Sequence, residues 1–193
     1  MAETIETRPF PPFLPKKATV MMMGTFPPEQ SKRAMEFHYP NFQNDMWRVF
    51  GLVFFDEKDH FRNGEEKAMD PEKIKAFLSE AGIASCPTVL KAIREKENAS
   101  DAFLKVVEPV PLADVLEQIP DCKHIGTTGG KATEILLSLL PEKVKLPKTG
   151  ETIPFVFNGR ELTLTRLPST SRAYPLSLPK KAEAYKNFFK ACG

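Results

Sequence analysis

The stretch Ala18-Thr-Val-Met-Met-Met-Gly-Thr-Phe-Pro-Pro28 decides the fold. Residues 18–23 are apolar apart from Thr19 and stop at Gly24. Such a run is far short of the ~20 residues a membrane-spanning helix needs. A short apolar run closed by glycine suits a strand covered on both faces, as in a parallel sheet flanked by helices. In open parallel α/β sheets the ligand crevice lies outside the carboxyl ends of the strands. The loop over residues 24–44 is therefore where a site is expected.

Elements on either side repeat the same logic. The Asp70-Pro71 pair, the apolar positions Ile74, Phe77 and Leu78, and Gly82 mark a helix with an N-cap, a first-turn proline and a C-terminal glycine. Further helices are expected from Asn44 into Phe54 and Phe55, over residues 112–119, over 132–140, and over 180–192 with Ala184, Phe188 and Ala191 inward. The spacing within 89–95 suggests another. His124-Ile-Gly-Thr-Thr-Gly-Gly-Lys131 links a short strand to a helix, and residues 153–157 and 161–166 flank Asn158-Gly159, a hairpin signal. Strand, turn and helix in alternation read as α/β. Four prolines within residues 8–15 exclude helix and central strand there, so residues 1–17 are expected as an extended Pro-rich arm and 18–193 as one domain.

Composition excludes more than it assigns. The 193 residues, 41% of them apolar, suffice for one globular core, and Lys+Arg 27 against Asp+Glu 25 leaves a net charge of +2. A nucleic-acid surface would have to be a local patch rather than a global field. Lys131, Arg166, Arg172, Lys180 and Lys181 lie at or near predicted loop ends and could form such a patch. Cys86, Cys122 and Cys192 fit neither a disulfide framework nor a metal cluster, so a reducing cytoplasm is the expectation. Residues 1–7 lack the basic and apolar regions of a signal peptide, and no export is expected.

Two familiar chemistries fail on spacing. If Gly130-Lys131 were the Gly-Lys of a phosphate-binding loop, the first glycine of that loop would fall on Ile125 and its Ser/Thr on Ala132. A tight strand-to-helix turn is the simpler reading. Cys122 and His124 have no second pair at zinc-ligand spacing, so no metal site is expected. The loop after the first strand differs. It gathers Gly24, Pro27, Pro28 and the run Phe37-His-Tyr-Pro-Asn-Phe-Gln-Asn-Asp-Met-Trp47. Aromatic faces suit stacking on a planar base, and carboxamides offer both donor and acceptor to its edge. The plainer alternative is that Phe37, Phe42 and Trp47 are core and that Asn44 caps the following helix.

Gly24-Thr-Phe-Pro-Pro28, the segment from Tyr39 to Trp47 and the late loop Leu167-Pro-Ser-Thr-Ser171 together resemble the uracil-DNA glycosylase superfamily, nearest its hypoxanthine- and mismatch-type branches. The resemblance covers about residues 18–190 and keeps the order of the two motifs; Gly82-Ile-Ala84 resembles a middle strand of the hypoxanthine-type branch. It implies a single-domain three-layer α/β/α sandwich with a short central parallel sheet. It also implies flipping of a deaminated or mismatched base, uracil or hypoxanthine, out of DNA and hydrolysis of its N-glycosidic bond, by a monomer that needs no cofactor.

Carried over by residue, the resemblance implies that the base stacks on Tyr39, that the backbone of Thr25 and Phe26 faces a base carbonyl, and that Gly24 belongs to the same substrate-binding loop. Asn44 is the implied catalytic residue, positioning water or binding the departing base. Ser169 and Ser171 would hold phosphates, and Arg172 would contact the DNA backbone or wedge the vacated site. Phe26 and Leu167 stand where several branches carry polar catalytic residues, and Pro87 stands where the hypoxanthine-type branch often has an acidic one. A non-catalytic base- or nucleic-acid-binding protein on the same fold is therefore the alternative. A small-molecule enzyme using Cys86 ranks below it.

Overall fold

The computed structural model describes residues 3–95 and 104–193. In chain order the elements are β1 (Ile5–Thr7), β2 (Val20–Met23), α1 (Met46–Phe55), α2 (Pro71–Ala81), β3 (Ile83–Ser85), β4 (Val89–Arg94), β5 (Leu104–Pro109) and α3 (Leu112–Gln118). Then come β6 (His124–Thr128), α4 (Gly130–Ser138), β7 (Thr152–Phe157), β8 (Arg160–Leu167) and α5 (Leu178–Ala191).

The central sheet runs β3-β2-β6-β8-β7, with the first four strands parallel and β7 antiparallel at the edge. Every residue of β2 is buried because the pleat sends its side chains to two cores. Met21 and Met23 join α3 and α4 on one face, while Val20 and Met22 join α1, α2 and α5 on the other. This is the expected α/β/α sandwich with its short parallel sheet. The α2 signals act as read: the Asp70 carboxylate accepts from the N–H groups of Glu72 and Lys73, and Gly82 ends the helix in the left-handed region at φ 71°. Asn158 and Gly159 both take positive φ, 50° and 78°, in the tight turn that joins β7 and β8. The glycine-rich segment is a strand-to-helix turn in which Thr133 Oγ1 donates to the Gly129 carbonyl at 2.8 Å.

Three expectations need correction. Residues 89–94 form a strand, not a helix, pairing with β1 on one side and β5 on the other in a second, antiparallel sheet of order β1-β4-β5. Their Leu, Lys, Ala and Arg favour helix locally, and pairing on both edges overrides that preference. On α5 the inward face is Lys181, Ala182, Tyr185 and Phe188, with Ala184 half-buried and Ala191 exposed. Lys181, expected among surface charges, is 1% exposed. The Pro-rich segment is extended and lies along the domain, with the Arg8 N–H donating to the Leu90 carbonyl at 2.8 Å and Phe13 exchanging two backbone hydrogen bonds with Ser85. No helix among the described residues is long and apolar enough to cross a membrane.

Candidate active site

Because β2, β3, β6 and β8 are parallel, their carboxyl ends open on one edge of the sheet. A cavity of about 540 Å³ lies there. Its walls are Gly24 to Pro28 after β2, Ser85 to Pro87 at the end of β3, Thr128 at the end of β6, and Ser169 to Ser171 after β8. The loop carrying His38, Tyr39, Asn41 and Asn44 and the arm residues Arg8, Pro9 and Phe10 also line it, together with Lys32 and residues 173–175. Of the eight residues singled out in the sequence, Gly24, Thr25, Phe26, Tyr39, Asn44, Ser169 and Ser171 line this cavity. Arg172 does not; it lines a second cleft on the far side of its loop.

Asn44 sits two residues before the first residue of α1. The helix is formally capped by Asp45, whose side chain makes no capping bond, and Asn44 Oδ1 accepts from the Met46 N–H at 2.9 Å instead. Only the amide oxygen can accept from that donor, which fixes the amide orientation. The Asn44 Nδ2 group has no protein acceptor among the described residues. Capping and a place in the cavity thus coexist, as the two expectations for this residue allowed.

Tyr39 adopts φ 54°, unusual for a bulky side chain and found where surrounding contacts over-determine the backbone. Trp47 Nε1 donates to the His38 carbonyl at 3.0 Å, the Tyr39 ring meets Trp47 edge-on at 5.9 Å, and the Tyr39 hydroxyl bonds Thr128 Oγ1 at 3.0 Å. Trp47 and Phe37 are buried core side chains, as the plainer reading held, and Phe42 is half-buried. Glycine at position 24 makes room for the Tyr39 hydroxyl, since a Cβ there would stand 2.7 Å from it and force the ring to shift. The Gly24 carbonyl accepts from both the N–H and the hydroxyl of Thr88, at 2.8 and 2.9 Å. Beyond it, the N–H groups of Thr25 and Phe26 find no protein acceptor among the described residues. The Phe26 ring turns away from them, into the small core of Val89, Ala92, Leu104 and Ile135.

The late loop is held from below. Tyr185 donates to the Pro168 carbonyl at 2.7 Å, Lys181 Nζ to the Ser171 carbonyl at 3.0 Å, and the Asp45 N–H to the Thr170 carbonyl at 2.9 Å. Ser169 Oγ accepts from the Ser171 N–H at 3.1 Å. Leu167 is buried, so its side chain offers the cavity no polar group. Asp45 anchors the join, with its carboxylate 2.9 Å from Arg172, 3.2 Å from Lys181 and 3.5 Å from Arg48.

One polar pair escaped the sequence reading. His38 Nε2 lies 2.9 Å from the Pro11 carbonyl, which can only accept, so Nε2 carries the proton. Nδ1 is then the acceptor, and the Ser85 hydroxyl donates to it at 2.6 Å. Burial pushes the His38 pKa down to about 4, with the charges of Arg8 and Lys75 adding to the effect. The imidazole is neutral at neutral pH. Burial pushes the neighbouring Cys86 thiol up to about 12, so it is no thiolate nucleophile. No signal in the linear sequence brings His38 to Ser85, since they meet only across the fold.

Among the described residues no carboxylate lines this cavity, while Arg8 and Lys32 do. The site therefore offers hydrogen-bond donors, hydroxyls, aromatic faces and positive charge. That chemistry suits a planar ligand carrying or developing negative charge.

No family model matches the sequence, and no curated protein does. The fold is similar to the solution NMR structure of a Methanosarcina acetivorans protein provisionally named a uracil DNA glycosylase. The TM-score is 0.64 and the identity 19%, with 98% of this chain and 99% of that chain covered. At that identity the likeness lies in the fold, which the two chains share from end to end. The uracil-DNA-glycosylase-like architecture expected from the two motifs is the one observed.

Proposed function

We propose that this chain is a monofunctional DNA glycosylase that hydrolyses the N-glycosidic bond of a flipped deaminated base, uracil or hypoxanthine, and leaves an abasic site. The observation that carries the reading is the convergence of Asn44, Tyr39 and the N–H groups of Thr25 and Phe26, which have no protein acceptor, on one cavity that no carboxylate lines among the described residues. Flipping costs a few kcal/mol of stacking and pairing, which stacking on Tyr39 and hydrogen bonds in the cavity offset. As the bond breaks, positive charge grows on the sugar and negative charge on the base. Preorganised donors aimed at the base are then worth most, because they need no reorganisation in the transition state.

In this reading Asn44 Nδ2 donates to a base oxygen, and the Thr25 and Phe26 N–H groups donate to a base carbonyl. Phe26 contributes through its backbone, so its apolar side chain is no obstacle. Ser169 and Ser171 border the sugar-phosphate path, Arg172 meets the DNA backbone beyond it, and the protein acts as a monomer without a cofactor. The arm over residues 1–17 and the domain over 18–193 work as one unit in this proposal, since the arm supplies part of the cavity wall.

The test is an abasic-site assay on labelled duplexes and single strands bearing one uracil, hypoxanthine or xanthine. Alkali-sensitive strand breaks at the lesion, and none at an undamaged base, are expected. Salt-dependent binding with no abasic product from any substrate would instead favour a non-catalytic base- or DNA-binding protein.

A further inference from the structure

The Pro-rich arm contributes more than a wall. Arg8 follows β1 directly, and its backbone is pinned by the bond from its N–H to the Leu90 carbonyl at 2.8 Å. The arm is fixed again at Pro11, whose carbonyl accepts from His38, and at Phe13, which bridges Ser85 and packs edge-on against Phe37 at 5.6 Å. Arg8 is thereby held at the cavity with little backbone freedom.

Its side chain is half-buried, and its sole hydrogen-bond partner among the described residues is the Cys86 sulfur, 3.8 Å from a terminal guanidinium nitrogen. A protonated thiol is a weak acceptor and neutralises no charge. Of the other cations near this face two are ion-paired, and Arg33 instead donates to the Pro28 carbonyl at 2.9 Å and lies over the Phe10 ring. Lys32 lies 3.8 Å from Glu29, and Arg94 lies 3.1 Å from Glu6. Arg8 has no carboxylate within ion-pair distance among the described residues, and no carboxylate lines the cavity it borders. A guanidinium bordering a cavity with one donor on a weak thiol acceptor and the others uncommitted is complementary to an anionic or carbonyl oxygen of a ligand.

We propose that Arg8 takes up the negative charge of the ligand, which, in the glycosylase reading on which this inference rests, is the charge appearing on the departing base. In that step the bond between the sugar C1′ and the base nitrogen breaks with its electron pair moving to the base. The oxygen of a water molecule then forms a bond to C1′ and releases one proton to solvent or to the departed base. Arg8 stays protonated throughout and donates to a base oxygen, gaining strength as the electron pair arrives. The arm thereby becomes part of the reaction site.

The experiment compares wild type, Arg8→Gln and Arg8→Lys in single-turnover excision from a uracil duplex, with affinity measured separately on the non-cleavable 2′-fluoro-2′-deoxyuridine duplex. Because Arg8 is anchored through its backbone N–H, both variants should keep the wild-type melting temperature. The expected result is a rate at least tenfold lower for Arg8→Gln, affinity within twofold of wild type, and Arg8→Lys in between. Excision by folded Arg8→Gln at the wild-type rate would overturn the proposal. So would a fall in affinity matching the fall in rate, with a shallower salt dependence, since that marks a backbone phosphate contact. If wild type excises nothing, the glycosylase reading itself fails, and this inference with it.

Discussion

Asn44 and Asp45 are adjacent in sequence but face different hollows, as do Ser171 and Arg172. Asn44 and Ser171 line the large cavity, where donors and positive charge stand without a carboxylate among the described residues. Asp45 and Arg172 line the second cleft, where one buried carboxylate meets Arg48, Arg172 and Lys181 within 3.5 Å. In the second region charge answers charge, and the network clamps the two motif loops together. In the first, Asn44 Nδ2 and the N–H groups of Thr25 and Phe26 are positioned by the fold with no protein acceptor among the described residues. One peptide bond separates clamp from site.

The contrast breaks most severely at Asp45. Asp45→Ala strips Lys181 of its counter-ion in the interior, and breaking a buried pair from one side costs about 3–5 kcal/mol. Urea unfolding should register a loss of that size. Adding Lys181→Met should recover part of it, because removing both charges is far milder than stranding one. A loss under about 1 kcal/mol for Asp45→Ala would mean that the network does not hold the loops.

A somewhat smaller effect belongs to the large cavity. The His38 pKa is about 4 when folded against an ordinary 6.5. The unfolded chain therefore binds the extra proton between those values, so stability is fully present above about pH 6.5 and is lost as pH falls toward 4. The full span corresponds to about 3 kcal/mol. Unfolding of wild type and His38→Gln across that range checks it, the variant being expected to lack this share of the acid sensitivity. The smallest effect is expected at Arg172, whose side chain is 56% exposed. Arg172→Gln should cost at most about 1 kcal/mol of stability. If it touches one phosphate, the slope of log affinity against log salt should drop by about 0.9.

The parts of the fold legible in the sequence are those whose cause is local. Asp70, Pro71 and Gly82 bound α2 through their own backbone chemistry, and Asn158-Gly159 makes its hairpin for the same reason. The β2 run was readable because burial on both faces leaves no polar alternation to obscure it. β4 was not, since its helix-forming residues become a strand only when β1 and β5 flank it. The site divides in the same way. The loop after β2 follows from where a parallel sheet puts its strand ends, whereas the places of Tyr39, Asn44 and the loop after β8 were legible only through the motif resemblance. Arg8, His38 with Ser85, and the burial of Lys181 depend on partners 47 to 136 residues away in the chain, and no spacing rule reaches that far.

The most direct measurement is single-turnover release of uracil from a labelled duplex by wild type and by Asn44→Ala, with the fold of both checked by thermal melting. The variant loses one cap, worth about 1 kcal/mol, and should remain folded. The account predicts abasic product from wild type and a rate lower by about 10²–10³ in Asn44→Ala, the range for losing one preorganised donor. Equal rates in the two proteins would contradict the role given to Asn44, and no product from wild type on any deaminated base would contradict the glycosylase reading as a whole.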